Sequence, residues 1–177
     1  MTAFIAPPRR IPIPLRFGLW IVHRRTGADL LPPRLLAWYP RAAISSAVLE
    51  ALIAHRDRAL TERILTMVRM AVSFTASCPF CIGMNSKGWE KLLTPEELAA
   101  IQGQRPLDSV ASLTGRERLA IEYARLASRT PLAFSPEFGE RLTSTFTERE
   151  IVVLATTSAQ VNYWARLIQA MGCPAQG

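Results

Sequence analysis

Apolar residues recur at three- and four-residue intervals along most of the chain beyond residue 33. Leu119, Tyr123 and Leu126 mark one such run, and Ile151, Leu154, Ala155, Ser158, Val161, Ala165 and Ile168 mark a longer one. This spacing draws one stripe along a helix, because successive turns bring residues three or four apart onto the same face. Residues 33–38, 41–55 and 61–76 carry further helical character. No segment alternates apolar and polar positions between hairpin turn residues, and the apolar β-branched runs of parallel strands are missing. The pattern predicts an all-α fold.

The helix starts are written in the polar positions. Thr94-Pro95-Glu96-Glu97, Thr114-Gly115-Arg116-Glu117 and Thr147-Glu148-Arg149-Glu150 each set a threonine three residues before a glutamate. Hydroxyl and carboxylate can then each accept from a backbone amide that the first helical turn leaves unpaired. Ser135-Pro136-Glu137 adds a capping serine followed by proline at the first helical position, where its missing N–H costs nothing.

Composition changes the picture at the N-terminus. The 177 residues carry 21 basic and 14 acidic side chains, and 49% of them are apolar. Such a chain buries a sizeable core, which excludes collagen-like, mucin-like and wholly disordered readings. Residues 1–77 hold 11 arginines against 4 acids, whereas the remainder is balanced, so the whole formal charge of +7 originates there. Within it, residues 1–32 read as a Pro- and Arg-rich arm whose apolar patch, 17–22, is suited to docking on its own or a neighbouring subunit. The arginines Arg9, Arg10, Arg16, Arg24 and Arg25 are interrupted by Pro12 and Pro14 and form no stripe on a helix. Without a recognisable binding motif they offer only salt-sensitive, non-specific attraction, so nucleic acid is not the expected partner. The most apolar stretch, 151–164, contains Thr156, Thr157, Ser158, Gln160 and Asn162 and reads as a buried helix rather than a membrane span. The N-terminus lacks the order of a secretory signal, and the expectation is a soluble, cytoplasmic protein.

Candidate chemistry is concentrated in Ser77-Cys78-Pro79-Phe80-Cys81. Pro79 fits the first turn of a helix expected over 81 to about 93, which puts Cys78 near its N-cap and Cys81 within its first turn. Unpaired amides there favour a thiolate over a thiol. Two intervening residues also let the sulfurs meet across one turn, so the pair can cycle between dithiol and disulfide. Buried structural thiols and a metal site are the other readings of a bare CxxC. Zinc needs four ligands, and Cys173, His23 and His55 each stand alone. No metal or other cofactor is therefore expected. Cys173 reads as a free thiol near the chain end, and both histidines read as solvated surface residues.

The stretch Arg63-Ile64-Leu65-Thr66-Met67-Val68-Arg69-Met70, followed by Ser77-Cys78-Pro79-Phe80-Cys81-Ile82-Gly83-Met84-Asn85-Ser86, resembles the core of the carboxymuconolactone decarboxylase and alkylhydroperoxidase D superfamily. Phe146-Thr147-Glu148-Arg149-Glu150-Ile151-Val152, then Asn162-Tyr163-Trp164 and Met171-Gly172, are similar to its longer members. The resemblance covers about 33–174 and divides the chain into an arm, 1–32, and a helical domain, 33–177. It implies a homo-oligomer of all-helical subunits and, in the alkylhydroperoxidase branch, thiol-dependent peroxide reduction. It also implies that Cys81 attacks the peroxide and Cys78 resolves it, a choice the residues by themselves leave open.

That branch carries a glutamate and a histidine as a proton relay at the positions occupied here by Thr66 and Asn85. An amide and a hydroxyl do not titrate near neutral pH and cannot replace them. Glu62, one turn before Thr66, is a substitute acid or base only if it reaches inward, and a surface glutamate is the simpler expectation. Trp38, Tyr163 and Trp164 read as core or subunit-interface packing. Asn162 and Gln160 are second-rank site candidates, because a buried amide needs partners. The expected function is a peroxidase-like or thiol-disulfide oxidoreductase acting on a small peroxide or disulfide with an external thiol reductant. A non-catalytic redox-sensing oligomer is the alternative, and a lactone decarboxylase is disfavoured by the absence of a core histidine.

Overall fold

The computed structural model describes residues 3–53 and 60–175. Among them every regular element is helical and no strand occurs, as the sequence pattern predicts. Among the described residues no helix is long and apolar enough to cross a membrane. The chain divides into two compact units, Met1–Ala54 with Leu167–Pro174, and His55–Arg166 with Ala175–Gly177. His55 lies outside the described residues.

The first unit contains α1 (Ile13–Thr26), α2 (Leu31–Leu36) and α3 (Pro40–Ile53). The arm is thus more regular than its composition suggests. Pro12 precedes α1 and Pro14 sits in its first turn, where proline is tolerated, and His23, Arg24 and Arg25 stand where the negative end of the helix dipole favours them. Gly27, at φ 71°, ends the helix and donates its amide to the His23 carbonyl. Both α1 and α2 pack on α3. The N-terminal segment is tied down by Phe4 N–H to the Met171 carbonyl at 3.1 Å and by the Trp38 indole N–H to the Ala6 carbonyl at 2.8 Å. Gly172, at φ 65°, admits Phe4 so closely that a Cβ would lie 2.7 Å from its ring.

The second unit is organised around α4 (Glu62–Thr75), capped by the Thr61 hydroxyl. Ile64, Leu65, Met67, Val68, Met70, Ala71, Val72 and Ser73 are all buried, so α4 is covered on nearly every side, as a central helix must be. Around it stand α5 (Pro79–Asn85), α6 (Pro95–Ile101) and α7 (Gly115–Leu126). The unit also holds α8 (Pro136–Thr145) and most of α9 (Glu148–Ala170). α5 is shorter than the sequence suggests: it caps at Ser86, and Gly88 at φ 74° turns the chain into a 3-10 turn, Trp89–Lys91.

Each predicted cap is present. Thr94 and Glu97 form a capping box on α6, as do Thr114 and Glu117 on α7 and Thr147 and Glu150 on α9, and Ser135 caps α8. The box glutamates are buried, and each is met by an arginine. Arg63 of α4 donates to Glu97 at 2.7 Å, to Glu117 at 2.7 Å and to the Leu92 carbonyl, while Arg116 donates to Glu150 and to the Thr145 carbonyl. Burial pushes the Glu97 carboxyl up, but the hydrogen bonds from Arg63, Ser112 and Thr94 outweigh it and hold it at about 2. Glu117 and Glu150 are lowered by the same balance, burial raising them and capping and arginine contacts prevailing.

Candidate active site

The last turn of α4 aims the first cysteine. Ala76 closes the helix, Ser77 adopts φ 48°, and two bonds cross the end: Ser77 N–H to the Phe74 carbonyl at 3.0 Å and Cys78 N–H to the Ser73 carbonyl at 3.2 Å. This is the Schellman closure, with serine where glycine is usual, and the left-handed residue reverses the chain so that α5 starts at once. Cys78 caps α5, Pro79 opens it, and the Cys81 amide donates to Cys78 Sγ at 3.2 Å.

Cys78 and Cys81 are joined as a disulfide, with Cα atoms 5.2 Å apart, and both are buried. Cys173 is a free, half-buried thiol whose pKa is raised by that burial, which makes it a poor nucleophile at neutral pH. Of the three sulfurs, the structure therefore brings together the two that the spacing singles out.

Asn85 lies one turn beyond Cys81, and its Nδ2 donates to Ser73 Oγ at 2.9 Å. Ser73 spends its own proton on the Arg69 carbonyl at 2.8 Å, so its oxygen only accepts from Asn85. That chain fixes the amide's orientation and leaves Asn85 Oδ1 as an acceptor beside the cysteine helix. Thr66 is half-buried on the same face of α4 as Ser73, two turns earlier, or about 10 Å along the axis. No hydrogen bond joins Thr66 to Asn85. Glu62 is exposed at the start of α4. Ser73 is the residue that sequence reasoning missed; its signal was a lone hydroxyl in the apolar run 70–74, where a buried polar group needs a partner.

Other candidates are distributed differently. Asn162, on α9, donates to Ser128 Oγ at 3.1 Å and to the Ser158 carbonyl at 3.0 Å, and Gln160 is buried. Tyr163 and Trp164 meet edge to face. Trp38 is 61% exposed, which removes it from the core. His23 is exposed as expected, but Asp29 stands 3.1 Å from its Nδ1, a partner six residues on that local sequence did not suggest.

No family model matches the chain. It is 29% identical to the uncharacterized protein YnjA of Escherichia coli strain K12, over 98% of this chain and 94% of that protein. Among solved structures it is similar to the debrominase Bmp8, seen with one cysteine replaced by alanine and in complex with 2,3,4-tribromopyrrole. The two share 16% identity and a TM-score of 0.81, covering 100% of this chain and 94% of that one. It is also similar to the alkylhydroperoxidase AhpD core of an uncharacterized peroxidase-related protein from Ralstonia eutropha JMP134. There the identity is 17% and the TM-score 0.78, over 99% of this chain and 93% of that one. The all-helical architecture is therefore the alkylhydroperoxidase D-like fold.

Proposed function

We propose that the protein is a thiol-dependent, peroxidase-like oxidoreductase working through Cys78 and Cys81. The observation that carries this reading is the meeting of the two buried sulfurs across the first turn of α5, while Cys173 is a free thiol. The peroxidase-related description of a protein with the same fold supports it.

In this reading the Cys81 thiolate attacks a hydroperoxide oxygen and the O–O bond breaks. The alcohol leaves as it takes up a proton, and Cys81 becomes a sulfenic acid. Cys78 then attacks that sulfur, water departs, and the disulfide forms; two electrons and two protons from an external dithiol restore the pair. A disulfide substrate is reduced by the same pair through thiol exchange. The division of roles follows the family resemblance and agrees with one contact. The Cys81 amide on Cys78 Sγ stabilises charge there, so Cys78 is the better leaving sulfur when a reductant bonds to Cys81. No cofactor is needed.

The expected result is dithiothreitol-dependent consumption of cumene hydroperoxide that disappears in Cys81→Ser and in Cys78→Ser. Equal turnover in the wild type and in Cys81→Ser would end the proposal. The rival reading, a redox sensor, is favoured by one observation: Asn85 reaches only a serine and, through it, a backbone carbonyl, so no titrating group stands in the relay. Stoichiometric oxidation without repeated turnover would select it.

We also infer that a second copy of this chain covers the N-terminal helices. α1 buries none of its residues and exposes Ile13, Phe17 and Trp20 on one face, and α3 exposes Ile44, Val48 and Leu52 at four-residue spacing. Apolar side chains left open in this way on a 14-residue helix form the kind of patch that marks an interface.

A further inference from the structure

A cavity of about 530 Å³ opens in the second unit, lined by Thr75, Leu126, Ser128, Arg129, Thr130, Pro131, Ala133 and Arg166. Its size suits a small organic ligand. Thr75 is the last residue of α4 and stands three residues before Cys78, so their Cα atoms are at most about 11 Å apart.

Its polar lining is cationic. Arg129 and Arg166 are exposed, and among the described residues neither has an ion-pair partner. The charged neighbours of Arg129 on α7 do not neutralise it: Arg125 adds positive charge, and Glu122 is held by Arg141 at 2.8 Å. Guanidinium groups recognise carboxylates through paired, charge-assisted hydrogen bonds. Leu126, Pro131 and Ala133 supply apolar surface beside them.

On α9, Arg166, Asn162 and Ser158 follow one another at four-residue intervals on one face. Asn162 is bonded to Ser128 of the cavity wall, whereas the Ser158 hydroxyl is fully buried with no hydrogen-bond partner.

We propose that this cavity holds the carboxylate of the substrate, so that the preferred oxidants are organic hydroperoxides bearing an acid group. The inference rests on the redox reading above for the word substrate, while the anion site stands on its own geometry.

Octanoate and its neutral counterpart octanamide are the probes. Calorimetric titration of the reduced protein should show octanoate binding about tenfold tighter than octanamide, with that preference lost in Arg129→Gln/Arg166→Gln of unchanged far-ultraviolet dichroism. In the wild type, saturating octanoate should slow iodoacetamide alkylation of Cys78 and Cys81 severalfold and leave Cys173 unaffected. Equal binding of the two probes, a preference that survives the double substitution, or no protection of the cysteine pair would each overturn the proposal. If binding and protection hold while no hydroperoxide is consumed, the anion site stands and the peroxidase reading falls.

Discussion

In the proposed peroxidase reading Asn85 stands where a titrating group would serve the thiol, and its surroundings show what it does instead. Ser73 holds the amide by its Nδ2, and Ser73 is itself committed to the Arg69 carbonyl, so the arrangement positions an acceptor without supplying a proton. Removing that support in Ser73→Ala should cost about 1–2 kcal/mol, read from urea unfolding, because two buried hydrogen bonds lose their common oxygen. General acid–base help is worth about 100- to 10,000-fold in rate, so hydroperoxide turnover should be slow in the native chain. Thr66→Glu/Asn85→His should raise it well above either single change, since the two groups act as one chain. A fast native enzyme that the double substitution leaves unchanged would show that another acid or base serves the site. The CxxC pair was legible because its chemistry lies in five consecutive residues. The role of Ser73 was not, since its partner Asn85 is brought to it only by the reversal at Ser77.

Helix starts are where local sequence and tertiary structure meet. The threonine–glutamate boxes of α6, α7 and α9 could be read directly, because each bond lies within one turn. The arginines that meet the buried carboxylates could not be assigned, since Arg63 reaches across 34 residues to Glu97 and 54 to Glu117. Arg63→Ala leaves those two carboxylates without their common cation and should destabilise the fold by about 3–5 kcal/mol in chemical denaturation. The same network sets a pH dependence. Glu97 is held at about 2 in the folded protein, below the ordinary carboxylate range, so its contribution is present near neutral pH and lost as pH falls toward 2. It is worth about 3 kcal/mol at neutral pH. Melting temperature should therefore drop between pH 6 and pH 3, and by less in Glu97→Gln; equal acid sensitivity would remove Glu97 from the account. One further device recurs. Ser128 donates to the Ala124 carbonyl and accepts from Asn162 on another helix, as Ser73 does with Arg69 and Asn85. Helix α1 escaped notice in the sequence because its prolines, which signal an irregular arm by composition, sit at its start.

At the scale of the whole molecule, exposed apolar side chains and positive charge share the N-terminal part of the chain. Light scattering at micromolar concentration should give a multiple of the 19.7 kDa chain mass, and Phe17→Asp/Trp20→Asp should shift it toward the monomer. A monomeric wild type would contradict the inference. The fold itself was legible from helical periodicity and caps, whereas the grouping of residues up to 54 with 167–174 depends on contacts far apart in sequence. All these features matter to function only if the cysteine pair is redox-active, and one single-turnover measurement tests that claim directly. Fully reduced protein is mixed with one equivalent of cumene hydroperoxide, and the remaining peroxide and the cysteine linkages are followed together, the latter by peptide mass mapping. The account predicts loss of one peroxide per chain, matched by a Cys78–Cys81 bridge with Cys173 still reduced. Unconsumed peroxide with both thiols intact, or a bridge to Cys173, would contradict it.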